Sequence, residues 1–282
     1  MKKNWKYYDY CHNPYVPIRP VVDKSSSDLI FKNSLQQSPY QKDLLTIMNK
    51  LRDSLGPWST VWGVKWDRKN ITWELYFYDN GRKDPCKKVE NVLKTLRSYF
   101  KIPEFKDIGI AKQSYFMFSI DFSDSILKSR QIKNVHLYME GRSGVSQGNS
   151  YCWGPDGIVF ENYYDFYLMP QEAKQLIYKI KQSIFLGPNS LSFLKMDLVR
   201  KLMSCHKICV AHKKNTDGVY FSRVNVDQLL YFLEYFSYPN YIVDFVKSHK
   251  NKLDHLLYDV AVDFFLGPKG PIFSKSSYYN VF

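Results

Sequence analysis

Between residues 40 and 55, Leu44, Leu45, Ile47, Met48, Leu51 and Leu55 recur at helical spacing, and Gly56-Pro57 ends the stripe. Two β-rich runs follow, residues 60–66 and 71–78, joined by the polar tip Asp67, Arg68, Lys69 and Asn70, which predicts a hairpin. Val89, Val92, Leu93, Leu96 and Phe100 mark a second helix, so the first unit reads helix, strand, strand, helix. The same order returns. Strands are predicted over residues 115–122, 133–140 and 158–168, helices over 170–184 and 191–203, and a hairpin of 207–213 with 218–223 across Asn215, Thr216 and Asp217. Helices over residues 226–236 and 241–253 lead to a last strand pair, 256–264 with 273–282. This makes about nine strands in antiparallel hairpins, set in an αββα rhythm. Residues 1–38, with Pro14, Pro17, Pro20 and the run Ser25, Ser26 and Ser27, read as an irregular lead-in, and residues 39–282 as one domain.

Successive strand residues face opposite ways, so each strand divides into two faces. In residues 71–78, Thr72, Glu74, Tyr76 and Tyr78 oppose Ile71, Trp73, Leu75 and Phe77. Residues 115–122 set Tyr115, Met117, Ser119 and Asp121 against Phe116, Phe118, Ile120 and Phe122. Residues 133–140 set Asn134, His136, Tyr138 and Glu140 against Val135, Leu137 and Met139. In residues 158–168, Val159, Glu161, Tyr163, Asp165 and Tyr167 oppose Ile158, Phe160, Phe166 and Leu168, and the last strand offers Lys275, Ser277 and Tyr279. A solvated sheet face is ordinarily Lys, Glu, Thr and Gln. Repeated Tyr, Ser, Asp and Met suit the inside of a closed barrel wide enough for a ligand, with helices wrapped outside.

Composition agrees with that reading. The 23 Tyr exceed the 19 Phe, and each buried phenol needs a hydrogen-bond partner, so the rings cannot all belong to an apolar core. With 45% hydrophobic and 24% charged residues over 282 positions, the chain has ample material for a core. No run approaches the roughly 20 apolar residues that span a bilayer, and the first ten residues lack an apolar leader, so a cytoplasmic protein is expected. A Gly-rich strand-to-helix turn of the nucleotide-binding kind is missing. The five cysteines (Cys11, Cys86, Cys152, Cys205, Cys209) include no CxxC pair. Cys205 and Cys209 beside His206 and His212 lack the spacing of a zinc site and read as idle thiols.

The αββα repetition, the strand count and the Tyr-rich polar faces resemble the aromatic prenyltransferases of the ABBA type. At the C-terminus the bacterial members carry a Lys four residues before a Tyr, matched here by Lys275 and Tyr279. The fungal members place a Glu on an early strand, as Glu74 stands here. The resemblance implies a closed antiparallel barrel of about ten strands, ringed by helices, that binds a prenyl diphosphate and an aromatic acceptor, either a small molecule or an aromatic side chain.

A prenyl diphosphate carries about three negative charges and calls for converging cations and phenols. Lys65, which shares a face with Val61 and Gly63, is a candidate, with Lys133, Lys207 or Lys213, Arg223, Lys275 and the phenol of Tyr279. Tyr76, Tyr78, Tyr115, Tyr138, Tyr163 and Tyr167 would shield an allylic cation from water. Glu74 would take the acceptor's proton, with Asp121, His136 and Glu161 as runners-up. Asp53, Asp79, Asp84 and Asp107 are scattered rather than paired as a magnesium-chelating motif, so no cofactor is required on this reading, although some members of the resembled family use Mg²⁺. A monomer that touches neither membrane nor nucleic acid is expected.

Two rival classes stay open. A formal charge of +13, from 40 Lys plus Arg against 27 Asp plus Glu, with interleaved aromatics, admits nucleic-acid binding, but the cations are spread along the chain and form no Arg-rich tract. A barrel that holds a small ligand without chemistry is the other.

Overall fold

The protein is described from a computed structural model covering residues 7–79, 88–106, 109, 115–141, 144–186, 190–268 and 270–281. Cys86, Asp84 and Asp107 lie outside the described residues.

Ten strands close into one antiparallel barrel in simple chain order: β1 (Thr60–Trp66), β2 (Ile71–Tyr78), β3 (Tyr115–Phe122), β4 (Val135–Gly141), β5 (Gly144–Gly154), β6 (Gly157–Leu168), β7 (Lys207–Lys213), β8 (Asp217–Val224), β9 (Tyr258–Gly267) and β10 (Gly270–Val281). β1 pairs with β10 and shuts the ring. This is the closed antiparallel barrel ringed by helices that the resemblance to the ABBA prenyltransferases implies. No described helix is long and apolar enough to cross a membrane.

Helices cover the outside because one face of each strand is apolar. α1 (Asp28–Ser34), α2 (Gln41–Leu55), α3 (Val89–Leu96) and α4 (Asp124–Ser129) lie along the first half of the chain. They are followed by α5 (Ala173–Lys181), α6 (Ser190–Lys195), α7 (Asp197–Leu202), α8 (Val226–Tyr235), α9 (Asn240–Ser248) and α10 (Lys250–Leu253). Trp62, Phe77, Phe118, Phe221, Phe264 and Tyr278 point outward and pack with Leu44, Leu51, Val92, Leu229, Phe232 and Ile242 of the helices. Each such side chain contributes about 1.5–3 kcal/mol of burial free energy, so the main core is the layer between barrel and helices and the lumen is left free for polar groups. α8 starts on a capping box in which Asn225 and Gln228 satisfy each other's backbone N–H.

Four features depart from the sequence pattern. β5 went unread because GVSQGNSYCWG is poor in β-formers. α1 falls inside the stretch read as irregular, and its Ile30 and Phe31 are fully buried. In β3 the register slips between Tyr115 and Met117, which turns Phe116 toward the lumen and Tyr115 into the outer core beside Phe118. In β6, Ser150 pairs with Asn162 but Tyr151 with Phe160. The extra residue is Glu161, and beyond it Asn162, Tyr164 and Phe166 face inward while Tyr163 and Tyr167 face out.

Candidate functional site

The lumen divides into a polar mouth and an aromatic chamber. Alternate residues of neighbouring strands meet across the mouth. Gly63 lies opposite Glu74 and Tyr279, Glu74 opposite Asp121, and Ser119 opposite His136. Gly63 has no alternative here, since a Cβ would stand 2.6 Å from the ring of Tyr279.

The mouth, a cavity of about 480 Å³, holds two linked ionic clusters. In the first, Lys65 Nζ lies 2.5 Å from Glu74 Oε2 and 2.8 Å from Asp121 Oδ1, and His136 bridges Asp121 (Nε2, 3.1 Å) and Glu161 (Nδ1, 2.8 Å). Glu74, 3% exposed, also accepts hydrogen bonds from Tyr76 and Ser119. In the second, Lys213 donates to both oxygens of Asp263 at 2.8 Å, and Lys275 reaches Asp263 Oδ2 at 3.1 Å. Burial alone would drag the His136 imidazolium down, but hydrogen bonds to Asp121 and Glu161 and their charges outweigh it and lift it to about 10. Asp121 resists burial in the same way: Lys65 and His136 hold its carboxyl well below the usual range. Burial also opposes the ionised Lys65, yet Asp121 and Glu74 raise it well above an ordinary lysine.

Beneath lies the chamber, lined by Tyr76, Tyr78, Tyr138, Tyr164, Tyr220, Phe116 and Phe166, with Lys207, Cys209 and Asp259 near its floor. An N-terminal loop closes this end. Tyr8 bridges to Pro14, and the Asp9 carboxylate accepts the N–H groups of Cys11 and Asn13 and the Nε of Arg223 at 3.1 Å. Tyr10 at its tip stands 4.9 Å from the rings of both Tyr76 and Tyr279. With that ring in place the chamber keeps about 70 Å³, far less than the roughly 300 Å³ or more of an ordinary ligand pocket. Burial, with neighbouring phenols and Glu74, raises Tyr10 and Tyr76 well above the usual tyrosine value, and burial with Asp9 pushes the Cys11 thiol up to about 12. These groups are neutral hydrogen-bonding walls.

Of the residues singled out from the sequence, Lys65, Glu74, Asp121, His136, Glu161, Lys213, Lys275 and Tyr279 meet in the mouth, and Tyr76, Tyr78 and Tyr138 line the lumen. Others are elsewhere. Lys133 is exposed ahead of β4, in a rim groove with Lys101 and Gln131. Lys207 sits at the opposite end of the lumen from Lys275. Arg223, after a break in the β8 ladder and at φ 62°, is spent on Asp9 and the Pro14 carbonyl as a strut for the N-terminal loop. Tyr115, Tyr163 and Tyr167 are outside the lumen for the reasons of register given above. Three lumen tyrosines were missed: Tyr220, whose alternation with Gly218 and Ser222 could have revealed it, Tyr164, hidden by the bulge, and Tyr10, which carries no periodic signal.

No protein-family model matches the chain. Among solved structures it is similar to AnaPT from Neosartorya fischeri, with a TM-score of 0.53 and 13% identity over 89% of this chain and 91% of that one, a likeness of fold. In sequence it is similar to a protein of Acanthamoeba polyphaga mimivirus named as JmjC domain-containing, 21% identical over 96% of this chain. The chain spans 49% of the length of that relative.

Proposed function

We propose that the barrel transfers a prenyl group from an allylic diphosphate to an aromatic acceptor. The observation that carries this reading is the stacking of three lysines, Lys65, Lys213 and Lys275, over a chamber walled by tyrosines, with one buried carboxylate, Glu74, where the two meet. AnaPT, which shares the fold, is an aromatic prenyltransferase of the ABBA type, and this supports the reading.

An ammonium has three donors. Among the described contacts Lys213 spends two and Lys275 one on Asp263, while Lys65 spends two on Glu74 and Asp121, so N–H groups from all three stay free to converge on a diphosphate. The Tyr279 hydroxyl, 2.7 Å from Ser277 Oγ, adds a phenol. When the allylic C–O bond breaks, its electron pair leaves with the diphosphate. The faces of Tyr76, Tyr138, Tyr164 and Tyr220 then stabilise the cation and keep water out. The acceptor ring attacks, and the proton it sheds passes to Glu74. With Tyr10 in place, only a short prenyl chain fits.

A second reading, ligand binding without chemistry, is favoured by the charge balance. Lys65, Lys213, Lys275 and His136 are matched by Glu74, Asp121, Glu161 and Asp263, so the mouth is near neutral before any ligand arrives. Incubation with dimethylallyl, geranyl and farnesyl diphosphates and a panel of indoles and phenols, read by mass spectrometry, separates the two. A product heavier by one prenyl unit supports transfer. Saturable binding with no product supports the second reading, and neither result removes both.

A further inference from the structure

The strongest unassigned cluster lies at the rim of the mouth, on three neighbouring strands. His136 of β4 is the direct cross-strand partner of Cys152 of β5, so both side chains emerge on one face. The extra residue in β6 swings Glu161 onto that same face, within 2.8 Å of His136 Nδ1. One ligand atom each from His136, Cys152 and Glu161 lies within 4.8 Å of the others, and all three side chains are half-buried and reachable from solvent. We infer that His136, Cys152 and Glu161 form a binding site for a thiophilic divalent transition cation of the zinc type.

Three features beyond the cluster carry this. The first is the orientation of the imidazole. Asp121 Oδ2 lies 3.1 Å from His136 Nε2 and holds that N–H, so Nδ1, which shares its proton with Glu161 in the empty site, is the nitrogen on which a cation would take that proton's place. A histidine that binds a metal through one nitrogen almost always donates the other N–H to a carboxylate, and here that carboxylate is itself pinned by Lys65 at 2.8 Å. The second is support for the sulfur, since Asn134 Nδ2 donates to Cys152 Sγ. The third is the donor set. One thiolate, one imidazole and one carboxylate suit zinc, with a fourth position left for water or a substrate atom, whereas magnesium demands an octahedron of oxygens. Ligand atoms around one zinc stand about 3.3–3.6 Å apart, as bond lengths near 2.0–2.3 Å in a tetrahedron require, so the site closes with small rotations of partly exposed side chains.

The site does not depend on the transfer reaction proposed above. It was illegible in the chain because its members, 16 and 9 residues apart, belong to separate strands, while the contiguous Cys205–His212 stretch drew attention instead.

The test is a cobalt titration of the metal-stripped full chain. Uptake of one Co²⁺ with a near-ultraviolet thiolate-to-cobalt charge-transfer band is expected, and Zn²⁺ should bleach that band while a large excess of Mg²⁺ leaves it. Cys152→Ser should abolish the band although Cys11, Cys86, Cys205 and Cys209 remain. Glu161→Gln should weaken uptake at least tenfold, and Asp121→Asn by about 10- to 100-fold. Circular dichroism confirms that each variant is folded, and Glu161→Gln serves if Cys152→Ser fails to fold. Absence of a charge-transfer band in the wild-type chain, or an unchanged band in Cys152→Ser, overturns the assignment.

Discussion

Lys65 and Glu74 meet at 2.5 Å where the mouth joins the chamber, Glu74 lying directly opposite Gly63, which stands two residues before Lys65 on β1. The same carboxylate accepts from Tyr76 and Ser119, so its orientation is set from three sides. Glu74→Gln keeps the shape and removes the base. Product formation should fall by about 10²- to 10⁴-fold with diphosphate affinity little changed. Full turnover in this variant would take Glu74 out of that role and give the proton to water.

Tyr10 sets the depth of the chamber. Tyr10→Ala removes the ring packed on Tyr76 and Tyr279, and should shift preference from dimethylallyl toward geranyl diphosphate at a stability cost of about 1–3 kcal/mol. Competition between the two donors, read as product ratio, checks this. An unchanged ratio would show that the loop does not limit the donor.

Gly63→Ala puts a methyl 2.6 Å from Tyr279 Cδ1 and 3.4 Å from Tyr76. The overlap should destabilise the fold by about 1–3 kcal/mol. Tyr279→Leu in the same chain should recover part of that loss, a coupling that denaturant unfolding of the single and double variants measures.

Asp259 faces Asp9 at the foot of the barrel, where Arg223 N–H donates to it at 2.8 Å. Burial first, and the charge of Asp9 second, hold its carboxyl well above the ordinary value. An unfolded aspartate titrates near 3.9, so folding takes up a proton above that pH, and stability is lost as pH rises toward the folded value. Asp259→Asn retains the acceptor and cannot ionise. It should be more stable than the wild type near pH 7, with the difference vanishing near pH 4, as denaturant melts across that range would record.

The parity of β2 and β4 was legible because a period of two survives wherever pairing is regular. It alone assigned Glu74, Tyr76, His136 and Tyr138 to the lumen. The closed fold followed from the Tyr-rich polar strand faces together with the family resemblance. Parity failed at Tyr115 and Phe116 and in the residues beyond Glu161, where one inserted residue reverses every side chain past it and leaves no mark in composition. Tyr10 was invisible for another reason: its place depends on Asp9 meeting Arg223 across 214 residues of chain. The pairing of Lys213 and Lys275 on one Asp263 is likewise a matter of barrel closure, which local pattern does not encode.

The central claim is that the lysines of the mouth receive a diphosphate, and Lys275, the most exposed of them, tests it most directly. Isothermal titration of dimethylallyl diphosphate into wild type and Lys275→Ala should show saturable binding in the first and a loss of about 1.5–3 kcal/mol, roughly 10- to 100-fold in Kd, in the second. No binding by the wild-type chain, or the same Kd in both, would contradict the account.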